Sequence, residues 1–352
     1  MVNKRLYVDF HVIQTVPPSC VNRDDTGRPK TAFYGGVNRA RVSSQSWKHA
    51  VREMFKDIFA DEKLGFRTLH AVDLLADKLS AQGYAAEKAQ KSAVDAIKSA
   101  GVSVKDKDNT TGALFFISAK QLDGLAELVL NGEKDKKKYK EALLSQPSID
   151  MALFGRMVAD DAELNVDASC QVAHSISTHS VEPEYDFFTA TDDCSPADNA
   201  GAGHLGTLEF NSSTLYRYAT VNVMDLFKAI GSDVSDAVAG FARAFICSMP
   251  TGKQNSYANR TLPDLIYVTV REDQPVNLSG AFEEPVKGHD GFVEKSKSKL
   301  FAYADKVYAN YCGKPKFSYV VDCEEVERSG VERTNLDGLL KALLKVVSEE
   351  VQ

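Results

Sequence analysis

The 352 residues include 42 lysines and arginines against 49 aspartates and glutamates, a net charge of −7, and 43% are hydrophobic; this suffices for one large domain with insertions or for two domains. No apolar run approaches the ~20 residues that cross a bilayer, and Met1 to Phe10 lacks the regions of a secretion signal, so the expectation is a cytoplasmic chain with no membrane partner. The six cysteines form no CxxC pair, which argues against a zinc site or a disulfide framework.

An acidic chain is on average a poor partner for nucleic acid, because phosphate binding is mainly electrostatic. The average conceals an asymmetry. Residues 1–60 hold ten lysines and arginines against five acids, a local +5 that leaves −12 for the rest. Such a distribution describes a basic face on an acidic body.

In chain order, Leu6-Tyr7-Val8-Asp9-Phe10-His11-Val12 alternates with the period of a half-buried strand. Residues 17–41 read as a long irregular stretch, with Pro17, Pro18, Gly27, Pro29, Gly35 and Gly36 among basic residues; loops this long are usually functional or disordered. A helix starts at Ser43 or Ser44, with Trp47, Ala50, Val51, Met54, Phe55 and Ile58 on one face and Lys48, Arg52 and Lys56 on another. Residues 61–181 turn to helix-forming, Ala- and Lys-rich sequence broken at Gly101 and Gly112, and read as a helical insertion. Strand-like segments return at 213–223, 265–270 and 316–321, with helices at 234–247 and 336–347. This order predicts an α+β fold, a ferredoxin-like or RRM-like core with large insertions.

Chemistry concentrates in Arg41-Val42-Ser43-Ser44-Gln45-Ser46-Trp47-Lys48-His49-Ala50-Val51-Arg52. A helix N-terminus offers free N–H groups and a positive dipole end to phosphate, Ser43 and Gln45 add hydrogen bonds, and Lys48 and Arg52 add charge one and two turns on. The same residues also read as a capped helix with a solvated basic face. His174 and His179 are five residues apart, a spacing that does not put two imidazoles on one helix face, and read as structural. No HExxH, nucleophile elbow or P-loop occurs, and neither cofactor nor metal is expected.

One set of blocks runs Pro18-Ser19-Cys20-Val21-Asn22-Arg23-Asp24-Asp25, Phe33-Tyr34-Gly35-Gly36 and Arg41-Val42-Ser43-Ser44-Gln45-Ser46-Trp47-Lys48. Downstream follow Gly155-Arg156-Met157, Ala173-His174-Ser175-Ile176-Ser177-Thr178-His179, Phe188-Thr189-Ala190, His204-Leu205-Gly206-Thr207 and Tyr216-Arg217-Tyr218-Ala219. In these blocks, and in their order, the chain resembles the CasC backbone subunits of the type I-E CRISPR Cascade complex, within the RAMP superfamily.

The resemblance implies a hand: an RRM-like palm (1–60 and 215–352), helical fingers (61–181) and a β-hairpin thumb (182–214). It implies copies stacked in a filament along a CRISPR RNA, pairing of that guide with target DNA in antiviral defence, and company from large, small, guide-end-capping and guide-processing subunits. By the same resemblance Arg23, Lys30, Ser43, Gln45, Lys48 and Arg52 touch the guide backbone, and Met157, Phe188 and Thr189 sit where the thumb displaces a base. An apolar wedge in a base stack reads no sequence, which suits that role; taken alone, a Phe such as Phe188 is more often core than RNA contact. Val37, Asn38 and His49 stand where the family has basic residues, which shifts the grip towards Arg39 and Arg41. The thumb segment 192–203 also departs from the family pattern. Lys134, Lys136, Lys137, Lys138 and Lys140 lie where the family contacts target DNA, although a bare charge run is usually a solvated face. The enzymatic alternative is a RAMP-type RNA endonuclease using Asp24 or Asp25. Those aspartates fall within a block that resembles a noncleaving family, so the expectation is a chain that is not an enzyme.

Overall fold

The computed structural model describes residues 4–158, 160–190, 204–322 and 328–351. Strand β1 (Tyr7–Ser19) leads through β2 (Thr31–Tyr34) and β3 (Val37–Val42) to helix α1 (Ser44–Phe55). Next come β4 (Gly65–Thr68), α2 (Ala71–Ala81), α3 (Ala86–Ser99), β5 (Phe115–Ser118), α4 (Ala119–Leu130), α5 (Lys136–Leu144) and α6 (Ile149–Phe154). Then follow β6 (Cys170–Val172), β7 (Ser175–Ser177), β8 (Glu184–Ala190) and β9 (His204–Asn222), and after them α7 (Val223–Ile230), α8 (Val234–Cys247) and the single turn α9 (Gln254–Tyr257). The chain closes with β10 (Leu265–Arg271), α10 (Val293–Asn310), β11 (Phe317–Asp322), β12 (Glu332–Arg333) and α11 (Leu336–Val351).

Within this list β1, α1, the β6–β7 pair, β9, α8 and β10 make a βαββαβ unit. β1 lies antiparallel between β9 and β10, while β6 and β7 pair with the far edge of β9. That is the ferredoxin-like strand order, and the α+β class is as the sequence predicts. β11 and β12 extend the sheet beyond β10, and β3 and β2 extend it beyond β7.

One residue set of β1 behaves as its alternation requires: Phe10 meets Phe241 at 5.5 Å and Phe245 at 6.1 Å on α8. Val51 and Phe55 of α1 with Leu339 and Leu343 of α11 complete that layer. The alternate set, Asp9 and His11, is buried as well instead of facing water. The cause is a second layer, in which Leu278, Phe282 and α10 residues Leu300 and Ala304 cover that face. The buried polar groups find partners there. Tyr218 donates its hydroxyl to Asp9 Oδ1 (3.0 Å), the Val276 N–H donates to Oδ2 (2.9 Å), and His11 Nδ1 lies 2.8 Å from the Tyr216 hydroxyl. Burial pushes the Asp9 carboxyl up to about 6 and the His11 imidazole down to about 3.

The stretch 17–41, read as irregular, contains the β2–β3 hairpin. Its turn is Gly35–Gly36, with φ of 59° and 78°, the left-handed pair that a two-residue hairpin turn demands. Strands this short show too little alternation to be seen in sequence. The helices between residues 71 and 144 enclose a core of their own, built from Val72, Leu75 and Leu79 against Ala93, Leu122 and Leu125. No helix among the described residues is long and apolar enough to cross a membrane.

Candidate nucleic-acid interface

Three hydrogen bonds lay the N-terminal loop against the start of α1. The Ser43 N–H donates to Asn22 Oδ1 (2.9 Å), the Lys30 N–H to the Asn22 carbonyl (2.8 Å) and the Arg41 N–H to the Lys30 carbonyl (2.9 Å). Arg23, Lys30 and Arg41 are thereby set beside the helix N-terminus, where Gln45 is exposed and Lys48 half-buried. The Lys48 ammonium stands 5.5 Å from the Phe154 ring, a cation–π contact that extends the strip towards α6. Asp24 shapes the loop. Its Oδ1 accepts from the Thr26 N–H (2.9 Å), the Thr26 hydroxyl (2.8 Å) and the Arg28 N–H (2.9 Å), which holds its carboxyl below the usual range.

Three residues expected on this surface belong to the architecture instead. Arg39 is buried, donating to the carbonyls of Ser177 (2.8 Å), Phe282 (2.8 Å) and Tyr34 (3.2 Å). Ser43 is also buried; it is the N-cap residue, yet its hydroxyl caps no N–H. Arg52 is held by Asp150 (3.0 Å) and the Gly65 carbonyl (3.3 Å), joining α1 to α6 and β4. Lys56 pairs with Glu53 at 2.7 Å. Of the expected basic ridge, Lys48 alone lacks a carboxylate partner among the described residues.

β8 and the start of β9 form a hairpin, with Glu184 opposite Phe210 and Ala190 opposite His204. Every β8 residue is exposed, so a hairpin rich in aromatic residues stands in water. Tyr185, Phe187 and Thr189 share one face and Phe188 takes the other, by the period of two. Phe188, 37% exposed, lies against Gly206, where a Cβ would come within 2.4 Å of its ring. Glycine leaves the ring its place. The hairpin root is tied to the N-terminal loop by Arg28–Glu209 (3.3 Å) and to α9 by the Phe210–Tyr257 ring pair (5.9 Å). Segment 192–203, expected to differ from the family, falls outside the described residues. Tyr185 and Phe187 were missed in the sequence, though the run Glu184-Tyr185-Asp186-Phe187 carries the alternating signal.

Met157 is 86% exposed, directly after a buried arginine. Arg156 donates to the carbonyls of Leu143 (2.8 Å), Leu164 (3.0 Å) and Phe116 (3.1 Å), anchoring the backbone from which Met157 projects. The lysine run divides. Lys138 pairs with Glu133, and Lys140 with Asp161 (2.6 Å) and Glu163 (2.5 Å), whereas Lys134, Lys136 and Lys137 are exposed and have no carboxylate partner among the described residues.

The model of the CT1975-like protein family matches residues 8–347. A chain from a solved structure of a CRISPR RNA-guided surveillance complex, pre-nicking, is similar at a TM-score of 0.85 and 32% identity, covering 97% of this chain and 100% of that one. A chain from a second CRISPR RNA-guided surveillance complex is similar at 0.63 and 29% identity, covering 96% and 99%. No curated protein sequence matches.

Proposed function

We propose that this chain, which belongs to the CT1975-like protein family, is the backbone subunit of a type I-E CRISPR surveillance complex. It polymerises along a guide RNA in the cytoplasm and presents the guide for pairing with target DNA. What carries this is one surface: Arg23, Lys30, Arg41 and Lys48, none with a carboxylate partner among the described residues, beside a loop tied to an exposed aromatic hairpin. In a chain with an excess of acids, unpaired cations held together are what a polyanion requires. They grip sugar-phosphate and leave sequence reading to base pairing. The hairpin, with Phe188, Thr189 and the neighbouring aromatics, wedges the base stack together with Met157.

We assign the palm to 1–60 and 215–352, the fingers to 61–181 and the thumb to 182–214. Lys134, Lys136 and Lys137 of the fingers meet target DNA. The large, small, guide-end-capping and guide-processing subunits complete the complex. On this reading the chain is not a nuclease, and the three hydrogen bonds that Asp24 Oδ1 accepts within its own loop support a structural part for that residue.

Co-expression with a CRISPR transcript tests the assignment. The purified chain should carry RNA of uniform length on a denaturing gel, and mass photometry should resolve steps of one 38.6 kDa subunit. A single-copy particle carrying heterogeneous RNA would overturn polymerisation on a guide. Cleavage of labelled RNA with Mg2+ that is lost in Asp24→Ala or Asp25→Ala would overturn the noncatalytic role.

A further inference from the structure

The two histidines singled out in the sequence part company in the fold. His179 is structural: its Nε2 accepts from the Thr214 N–H (3.1 Å), and its ring stacks on Phe292 at 3.7 Å. His174, between β6 and β7, is exposed, and its Nδ1 stands 3.1 Å from Arg41 Nη1. Arg41 is oriented by its Nε, which donates to the Thr31 carbonyl (3.0 Å).

A guanidinium only donates, so Nδ1 is the acceptor and the neutral ring carries its proton on Nε2. The charged groups facing His174 are Arg41 and Lys30; partial burial first, and then these two cations, lower its proton affinity. No acid among the described residues balances them. Protonation of the bare ring would set an Nδ1–H against an arginine N–H, donor against donor. A phosphodiester oxygen between the two accepts from both and supplies the missing negative charge, which favours the imidazolium.

We propose that His174, Arg41 and Lys30 form one phosphodiester clamp on the guide-binding face, and that His174 takes up a proton when the RNA backbone enters it. This rests on the guide-binding reading above and adds to it a residue and a pH dependence.

Fluorescence anisotropy with labelled oligouridylate, at pH 6 and pH 8 over a salt series, tests it on the full chain, His174→Gln and His174→Lys. The unmodified chain should bind severalfold more tightly at pH 6, short of the roughly tenfold limit of a one-unit rise in proton affinity because the free ring is only partly protonated there, with a salt slope steeper by up to about 0.7. His174→Gln should bind at both pH values as the unmodified chain does at pH 8, and His174→Lys as it does at pH 6. Thermal melts of the three should coincide, because the side chain is exposed. A pH dependence that survives His174→Gln, or a His174→Lys that binds no better than His174→Gln at pH 8, overturns the clamp. Guide binding itself then still stands if Lys48→Ala weakens the complex. No RNA binding at either pH overturns both.

Discussion

Arg39 and Arg41 lie two residues apart on β3, on the same face by alternation, yet they do different work. The turn carrying Phe282 and Glu283 covers Arg39 and takes its guanidinium; it leaves Arg41 half-exposed. Arg39→Ala should lower stability by roughly 3 kcal/mol or more, since several carbonyls lose a charged donor contributing about 1.5–3 kcal/mol each, and should leave the salt slope of RNA binding unchanged. Arg41→Ala should do the reverse, flattening the slope by about 0.7 with little change in melting. Denaturant titration beside an RNA salt series separates them. A second contrast lies beneath the sheet. Asp9 titrates at about 6 in the fold against an ordinary 3.8, so its contribution to stability is lost as pH rises through that window. His11 titrates at about 3 against 6.5, so its contribution is lost as pH falls below 6.5. Between pH 4 and pH 6 the two slopes oppose one another. In His11→Asn only the Asp9 slope remains, so the variant's deficit against the unmodified chain should shrink on acidification, by up to about 1.4 kcal/mol per pH unit. Melts of both proteins from pH 7 to pH 4 check this; a constant gap would mean that His11 is not held neutral.

α5 begins with Lys136 and Lys137 after an Asp135 N-cap whose side chain accepts from the Lys137 N–H. Cations at the positive end of a helix oppose its dipole, a local cost that suits a surface kept for another polyanion. Lys136→Glu with Lys137→Glu should therefore raise stability by about 1 kcal/mol while weakening duplex DNA binding and sparing guide assembly. Equal loss of guide assembly would refute that division. The β8–β9 hairpin makes the complementary case. Phe188 rests on Gly206 and is 37% exposed, so Phe188→Ala should cost about 1–3 kcal/mol of RNA binding through lost stacking and leave the salt slope as it was. A fallen melting temperature with intact RNA binding would make the residue structural.

Across the whole chain, charge is uneven: residues 1–60 carry a net +5 and the rest −12. If Lys30, Arg41 and Lys48 act together, replacing all three with Ala should flatten the salt slope by about 2, at roughly 0.7 per contact; a smaller change would place the guide elsewhere. Much of this was legible in the sequence. The 3.6-residue spacing of Trp47, Ala50, Val51 and Phe55 determined α1, the period of two determined β1, and the order of elements determined the α+β class, because each depends on near neighbours. The sequence also located where basic residues gather. Only the tertiary structure decided which of those cations remain available to a nucleic acid. Arg39 is consumed by a carbonyl 243 positions away and Arg52 by a carboxylate 98 positions away, while Arg41 meets His174 across 133. Partners so distant are chosen by how the sheet and its covering layers close, and no local periodicity encodes them.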